Sequence, residues 1–439
     1  MASTPIYKRG VYALLDSIII AFYSFIYIIT VVRSIPQAEY GILVLCDSIR
    51  VFLILFTDLS VGQALIKYAA ERDDAELPVV ITHSLILKLG LLALSALVLL
   101  LFAHPIANIC QVPELAALLY WVPLVLSAVM LNNFVRQILI AKQNLKQVLW
   151  IDVYILCSFL IILSIFKYSG FLISGVQVLW VVALSNILSA LPGFWYSRKY
   201  LKFSSIIQRD WFQRLSRFAK HSFINGAGVQ IYTRIDLFML AYFLTSISVP
   251  INVAIYNTAR AFTSFSVVIN ESMNTIVFPE TAKVDLSLGE PSRERIRKIY
   301  ETASGVLFLI AIPVTLMLFL FPEFILRLFY GGKYQNAASL VRVFAFWGLM
   351  HPFYRIAASV FNGIGKPEIN AKLTWVGAGV SILVNMILIP WLGALGAAIS
   401  ALVTTMTILV IYVILLHRQF AVRLLAIDFY YLKSFMNKK

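Results

Sequence analysis

The chain predicts an all-α polytopic membrane protein, with about twelve transmembrane helices in two pseudo-symmetric six-helix lobes. Three observations lead there. Hydrophobic residues make up 61% of the 439 and charged residues only 13%, with a mean hydropathy of +0.87; a soluble domain carries about a quarter charged residues. Apolar stretches of about 20 residues, the length that crosses a bilayer core, recur along the whole chain. Basic residues alternate between successive connections as membrane topology requires.

The first span is 11–32. Lys8 and Arg9 ahead of it imitate a secretory signal, but the apolar run is longer than a signal's and lacks a small-residue cleavage site, so it reads as an uncleaved helix. Spans 41–63, 79–103, 115–141, 147–166 and 174–197 follow and complete the first lobe, 1–197. Residues 198–218 read as a cytoplasmic interfacial linker, because Ile207, Trp211, Leu215 and Phe218 fall at helical spacing among basic residues. The second lobe, 219–416, holds spans 219–244, 249–279, 299–321, 336–361, 369–390 and 392–416. The tail 417–439 sets Leu424, Leu425, Phe429 and Leu432 between Arg423 and Lys433, and is expected to lie on the membrane as an amphipathic segment.

With the N-terminus inside, 25 of the 36 Lys and Arg fall in inner connections and four, Arg33, Lys167, Arg327 and Lys333, in outer ones. One missed or invented span would destroy that bias, so both termini are expected in the cytoplasm. The net charge of +15 therefore reports topology and contact with anionic membrane lipids, not nucleic acid.

Enzyme chemistry finds little support. Cys46, Cys110 and Cys157 are scattered and suggest neither a disulfide framework nor a metal site. No P-loop pattern occurs, the five histidines have no ligand or triad spacing, and no connection is long enough for a soluble catalytic domain. No cofactor, metal or catalytic residue is expected.

Charges inside the spans are informative, because an ion in hydrocarbon usually faces a protein interior or water-filled cavity and marks function. The second span carries Asp47, Arg50 and Asp58, which on a regular helix lie within about 80° of one another. Asp47 and Arg50 are i,i+3, so Arg50 either pairs with Asp47 or lines a cavity. In the seventh span Asn225, Gln230, Arg234 and Asp236 interrupt the apolar run; Arg234 and Asp236 point in roughly opposite directions and cannot satisfy each other. The eighth span places Asn257, Arg260, Ser264, Glu271 and Asn274 along one stripe, which either lines a cavity or bonds to neighbouring helices. Lys88, Asp152, Arg342, Arg355 and the group Asn132, Asn133, Arg136 and Gln137 are expected to snorkel near span ends.

Three central arginines at about 2.5–3.5 kcal/mol each would cost on the order of 8–10 kcal/mol, as much as a whole protein's stability. A polar cavity would relieve most of that. Arg50 and Arg260 each lie about ten residues into the second span of their lobe, as in parallel repeats, and are expected to face one central cavity.

Particular stretches carry a family resemblance: EYGILVL from Glu39, TDLSVGQALIKYAA from Thr57, GVQIYTRIDLFMLAYFL from Gly228 and AIYNTARAF from Ala254. FPEFILRLFYGGKYQNAA from Phe321, FNGIGKPEIN from Phe361 and NMILIPWLGALGAAISA from Asn385 continue it. Together they resemble the polysaccharide transporter branch of the multidrug/oligosaccharidyl-lipid/polysaccharide (MOP) exporter superfamily, of the O-antigen (Wzx) flippase type. The resemblance implies two lobes in a V shape in the cell inner membrane, alternating access, and a cationic cavity for a polyprenyl-pyrophosphate-linked oligosaccharide. It also implies the company of glycan polymerase or assembly proteins. Arg50, Arg234 and Arg260, with Asn257 and Asn274, are then the expected cargo-binding residues, since arginine's planar fork suits phosphate oxygens. Asp47, Asp58, Asp236 and Glu271 are the candidate ion-coupling groups or charge partners. Tyr23 and Tyr27 read as ordinary packing. The related peptidoglycan-precursor flippases carry an arginine in the first span, where this chain has Asp16. The competing readings are a MATE-like drug or cation antiporter, which should favour carboxylates over arginines, and a non-transporting scaffold.

Overall fold

The computed structural model describes residues 6–71, 76–171, 174–245, 247–285, 287 and 289–422; the side chains of 6–10, 13, 14, 225, 268, 271, 272 and 275 lie outside the description. Among the described residues every regular element is helical. Each of the expected spans falls on a helix: α1 (Ile6–Ser34), α2 (Gln37–Ile54) continuing through a π turn (Leu55–Leu59) into α3 (Ser60–Glu71), α4 (Leu77–Ile109), α5 (Leu115–Leu119) with α6 (Val122–Ala141), α7 (Leu145–Tyr168) and α8 (Gly175–Ser197). The series continues with α9 (Arg209–Phe243), α10 (Val249–Ala261), α11 (Ser264–Ala282), α12 (Glu290–Leu320), α13 (Pro322–Tyr330), α14 (Ala338–Gly363) and α15 (Pro367–Phe420). The tail beyond 422 lies outside the described residues.

Seven helices are long and apolar enough to cross a membrane on length and composition, and α15, at 54 residues, contains two of the expected spans. The two meet at Gly393, whose φ of 56° and ψ of −132° break the helix. Only glycine enters that region without strain. The other expected spans fall on the α2–α3 run, α9, α10–α11 and α14. These carry Arg50, Arg234, Arg260 and Arg355, while Asp16, Lys88, Arg136 and Asp152 lie on helices of the apolar set.

Local signals explain the boundaries. Ser174 and Gln177 form a capping box at the start of α8, and prolines open α4, α6, α12, α13 and α15, where the missing N–H costs nothing. One expectation is corrected. Residues 198–218 do not form one interfacial helix: 201–208 are non-helical, and α9 starts at Arg209. Ser204 N donates to Thr82 Oγ1 (2.9 Å) and Gln208 N to His83 Nε2 (2.9 Å), tying the linker to α4. Trp211 then packs among Leu65, Val80 and Ile138, and Leu215 is fully buried, so the stripe meets protein from Trp211 onward while Ile207 stays exposed.

By packing, the chain divides into two compact units, Met1–Ala254 and Ile255–Lys439. In the first, α9 lies on α2, α3 and α4, while α6 and α7 pack on α8. In the second, α14 is the central helix, packed by α11, α12 and α15.

Candidate functional site

The first unit holds three polar clusters within its membrane-spanning helices. On α2, Arg50 Nε donates to Asp47 Oδ1 at 2.8 Å, closing the i,i+3 pair, and both side chains are half-buried. Tyr27 Oη on α1 donates to Asp47 Oδ2 (3.1 Å). Tyr27 is therefore a polar partner of the pair, beyond the packing role expected for it, while Tyr23 stacks edge-on against Phe159. From α9, Arg234 Nη1 reaches Ser48 Oγ at 3.4 Å. Two guanidiniums thus approach α2 within one turn, which is the convergence the sequence could not show. Asp236 is buried and its Oδ1 accepts from the Leu237 amide (2.8 Å).

Asp58 belongs to a different cluster. It lies in the π turn, eight residues beyond Arg50, and is buried in the core. There Lys88 Nζ donates to Asp58 Oδ1 and to Gln137 Oε1 (2.6 Å), and Asn133 Nδ2 donates to Asp58 Oδ2 (2.6 Å). The side chains of Lys88 and Asp58 are 0% and 1% exposed. Lys88 does not snorkel: from its place on α4 it reaches a carboxylate sooner than it reaches water. Gly62 on α3 lets this happen, because a Cβ there would overlap the Gln137 amide.

The third cluster joins Arg136 Nη2 to Asp16 Oδ2 and Asp152 Oδ2, both at 2.8 Å. Arg136 and Asp152 likewise pair inside the helix layer instead of snorkelling. Asp16 was legible only as a solitary acid in the first span. Arg342 does behave as a span-end residue, exposed and bonded to Glu323 at 2.8 Å.

In the second unit, Arg260 occupies the last turn of α10, where the negative end of the helix dipole favours a cation. The helix breaks immediately afterwards: Thr263 N and Oγ1 both donate to the Arg260 carbonyl, at 2.9 and 2.7 Å. The expected stripe is therefore discontinuous. Asn257 and Arg260, both half-buried, belong to α10, whereas Ser264, Glu271 and Asn274 belong to α11. Asn274 Oδ1 accepts from Ser359 Oγ on α14 (2.6 Å), an interhelical bond. The Glu271 side chain lies outside the described residues. No spacing in the chain marks a further group, in which His351 on α14 contacts Asn270, Ser266, Trp347 and Tyr354.

A helical membrane protein with arginine-bearing, irregular helices is the frame in which the likeness to known proteins counts. The family model described as polysaccharide biosynthesis protein matches residues 7–284, well over half of the chain. The chain belongs to that family. A MatE model matches 222–387. An uncharacterized membrane protein of Methanocaldococcus jannaschii is 26% identical over 205 residues, 46% of this chain and 39% of the relative. A Haloferax volcanii protein named probable low-salt glycan biosynthesis flippase Agl15 is 20% identical over 231 residues, 52% of this chain and 44% of the relative. The chain spans less than half the length of either curated relative. Among solved structures, an inward-facing multidrug resistance MATE family transporter of the MOP superfamily aligns with a TM-score of 0.71 at 19% identity, covering 95% of this chain and 96% of that chain. At that identity the likeness shows the fold, which is the MOP-superfamily fold expected from the motifs.

Proposed function

We propose that this protein is a flippase that moves a polyprenyl-pyrophosphate-linked oligosaccharide, such as an O-antigen or other surface-polysaccharide repeat unit, from the cytoplasmic to the outer leaflet by alternating access. The observation that carries this reading is that Arg234 from α9 meets the same turn of α2 that carries Arg50. A guanidinium stays charged in any environment and offers a planar fork to phosphate oxygens. Membership of the polysaccharide biosynthesis family and similarity to a protein named as a glycan-biosynthesis flippase support the same cargo class.

The two lobes, 1–197 and 219–416, sit in the inner membrane with both termini cytoplasmic. Arg50, Arg234 and Arg260, with Asn257 and Asn274, hold the pyrophosphate and its glycan while the polyprenyl chain stays in lipid. Asp47, Asp236 and Glu271 are the groups that couple an ion to transport. Asp58, sealed against Lys88, serves as a charge partner. Glycan polymerase or assembly proteins take the delivered unit. A drug or cation antiporter of the same fold is the second reading; the two arginines brought together at α2 disfavour it, because guanidiniums are poor ligands for a cationic cargo.

The test is delivery of glycan to the cell surface by Arg234→Ala and Arg260→Ala variants, with protein level measured in parallel. Both variants should accumulate normally in the membrane and fail to deliver glycan. Wild-type delivery by both would reject the cargo site.

A further inference from the structure

The flippase reading explains the arginines but leaves the aromatic and histidine group of the second unit without a role. Trp347, His351 and Tyr354 lie at i, i+4 and i+7 on α14, on one helix face. Trp347 stacks on the His351 ring with centroids 4.3 Å apart at 23°. Tyr354 meets His351 edge-on at 5.0 Å and stacks on Tyr412 at 6.2 Å and 13°. Tyr412 is pinned in turn, its hydroxyl donating to Asn370 Oδ1 at 2.7 Å. The three α14 rings are therefore held in fixed orientations. His351 is buried, while Trp347 and Tyr354 are partly exposed.

Asn270 on α11 supplies the polar element. Its Nδ2 donates to His351 Nδ1 at 2.8 Å, which leaves the ring proton of the neutral imidazole on Nε2. Asn270 is only 4% exposed, yet its Oδ1 has no hydrogen-bond partner among the described residues. A buried carbonyl oxygen is normally satisfied, and one that is not needs an explanation. The charges of Arg355 and Arg260 both act on His351, so the group lies in a positive field.

We propose that this α14 face, together with Asn270, is a subsite for a sugar ring of the cargo; the proposal rests on the lipid-linked glycan reading above. A pyranose combines an apolar C–H face, which packs on an aromatic ring, with hydroxyl donors that meet an acceptor such as Asn270 Oδ1. Arg260, already assigned to the pyrophosphate, places the anionic end of the same cargo nearby. A cluster serving only to fill the core would bury its aromatic faces and satisfy Asn270.

The experiment uses the full chain in lipid nanodiscs and two probes, a short-chain polyprenyl diphosphate and the same carrier bearing one hexose, titrated by calorimetry. Trp347→Ala should weaken binding of the hexose carrier by about tenfold and leave the bare carrier unchanged, while Trp347→Phe keeps most of the affinity. Trp347→Leu, which retains apolar volume without a ring, replaces the alanine variant should that one not fold. Equal losses on both probes, or none on the hexose carrier, would overturn the sugar subsite and leave the flippase reading standing. A wild-type protein that binds neither probe would overturn both.

Discussion

Asp47 and Asp58 belong to one helical run, 37–71, yet the run treats them oppositely. Asp47 is half-buried, bonded to Arg50 on its own helix and to Tyr27, with Arg234 arriving one residue away at Ser48. Asp58 is sealed, with Lys88 and Asn133 saturating its two oxygens. The same side chain thus serves once in a half-open cluster beside two guanidiniums and once as an internal strut. Their neighbours make the difference, because Lys88 from α4 and Asn133 from α6 close around the second carboxylate. Burial and neutralisation, rather than the presence of a charge, separate a structural ion pair from a site that can exchange its partner for a ligand.

That contrast can be broken experimentally. The largest effect is expected from Lys88→Met, which strands the Asp58 carboxylate in the core and should destabilise the protein by about 3–5 kcal/mol, read as a fall in melting temperature in detergent. Adding Asp58→Asn should recover most of the loss, since removing both charges is close to neutral. A Lys88→Met protein with wild-type melting would show that the sealed pair is no strut.

Arg50→Ala and Arg234→Ala should instead leave melting within a few degrees and lower glycan delivery by about tenfold or more, the loss of one charge-assisted hydrogen bond to a phosphate. If either unfolds the protein as Lys88→Met does, the half-open cluster is structural and the distinction collapses. Gly62→Ala should cost about 1–3 kcal/mol, because Gln137 is locked to Lys88 and cannot yield to the new methyl. Gly90→Ala on α4, where nothing lies within 4 Å of the added atom, should be neutral or gain up to about 1 kcal/mol in the same melting assay. Tyr27→Phe, which removes one hydrogen bond to Asp47, should cost only about 1 kcal/mol with transport retained.

Much of this was legible from the chain, for reasons that are local. Hydropathy and the asymmetry of Lys and Arg locate the spans because each apolar stretch must meet lipid whatever its neighbours are. The Asp47–Arg50 pair was legible because i,i+3 spacing alone brings the two side chains together. The motif series from Glu39 to Asn385 carried the superfamily, because a family pattern survives as ordered sequence.

What the tertiary structure decided involves residues far apart in sequence or departures from regular helix. Lys88 meets Asp58 across 30 positions and Arg136 meets Asp16 across 120, and no periodicity encodes such partners. The apolar stripe of Trp211 and Leu215 is the same whether it faces lipid or α3, so only packing could choose. The π turn at Leu55–Leu59 and the break after Arg260 carry no glycine or proline to announce them. The chain by itself determined that the protein spans a membrane and keeps cations inside it, because hydrophobic transfer is additive residue by residue. Which of those charges are neutralised and which remain available is a property of pairs, and pairs exist only once the helices have packed.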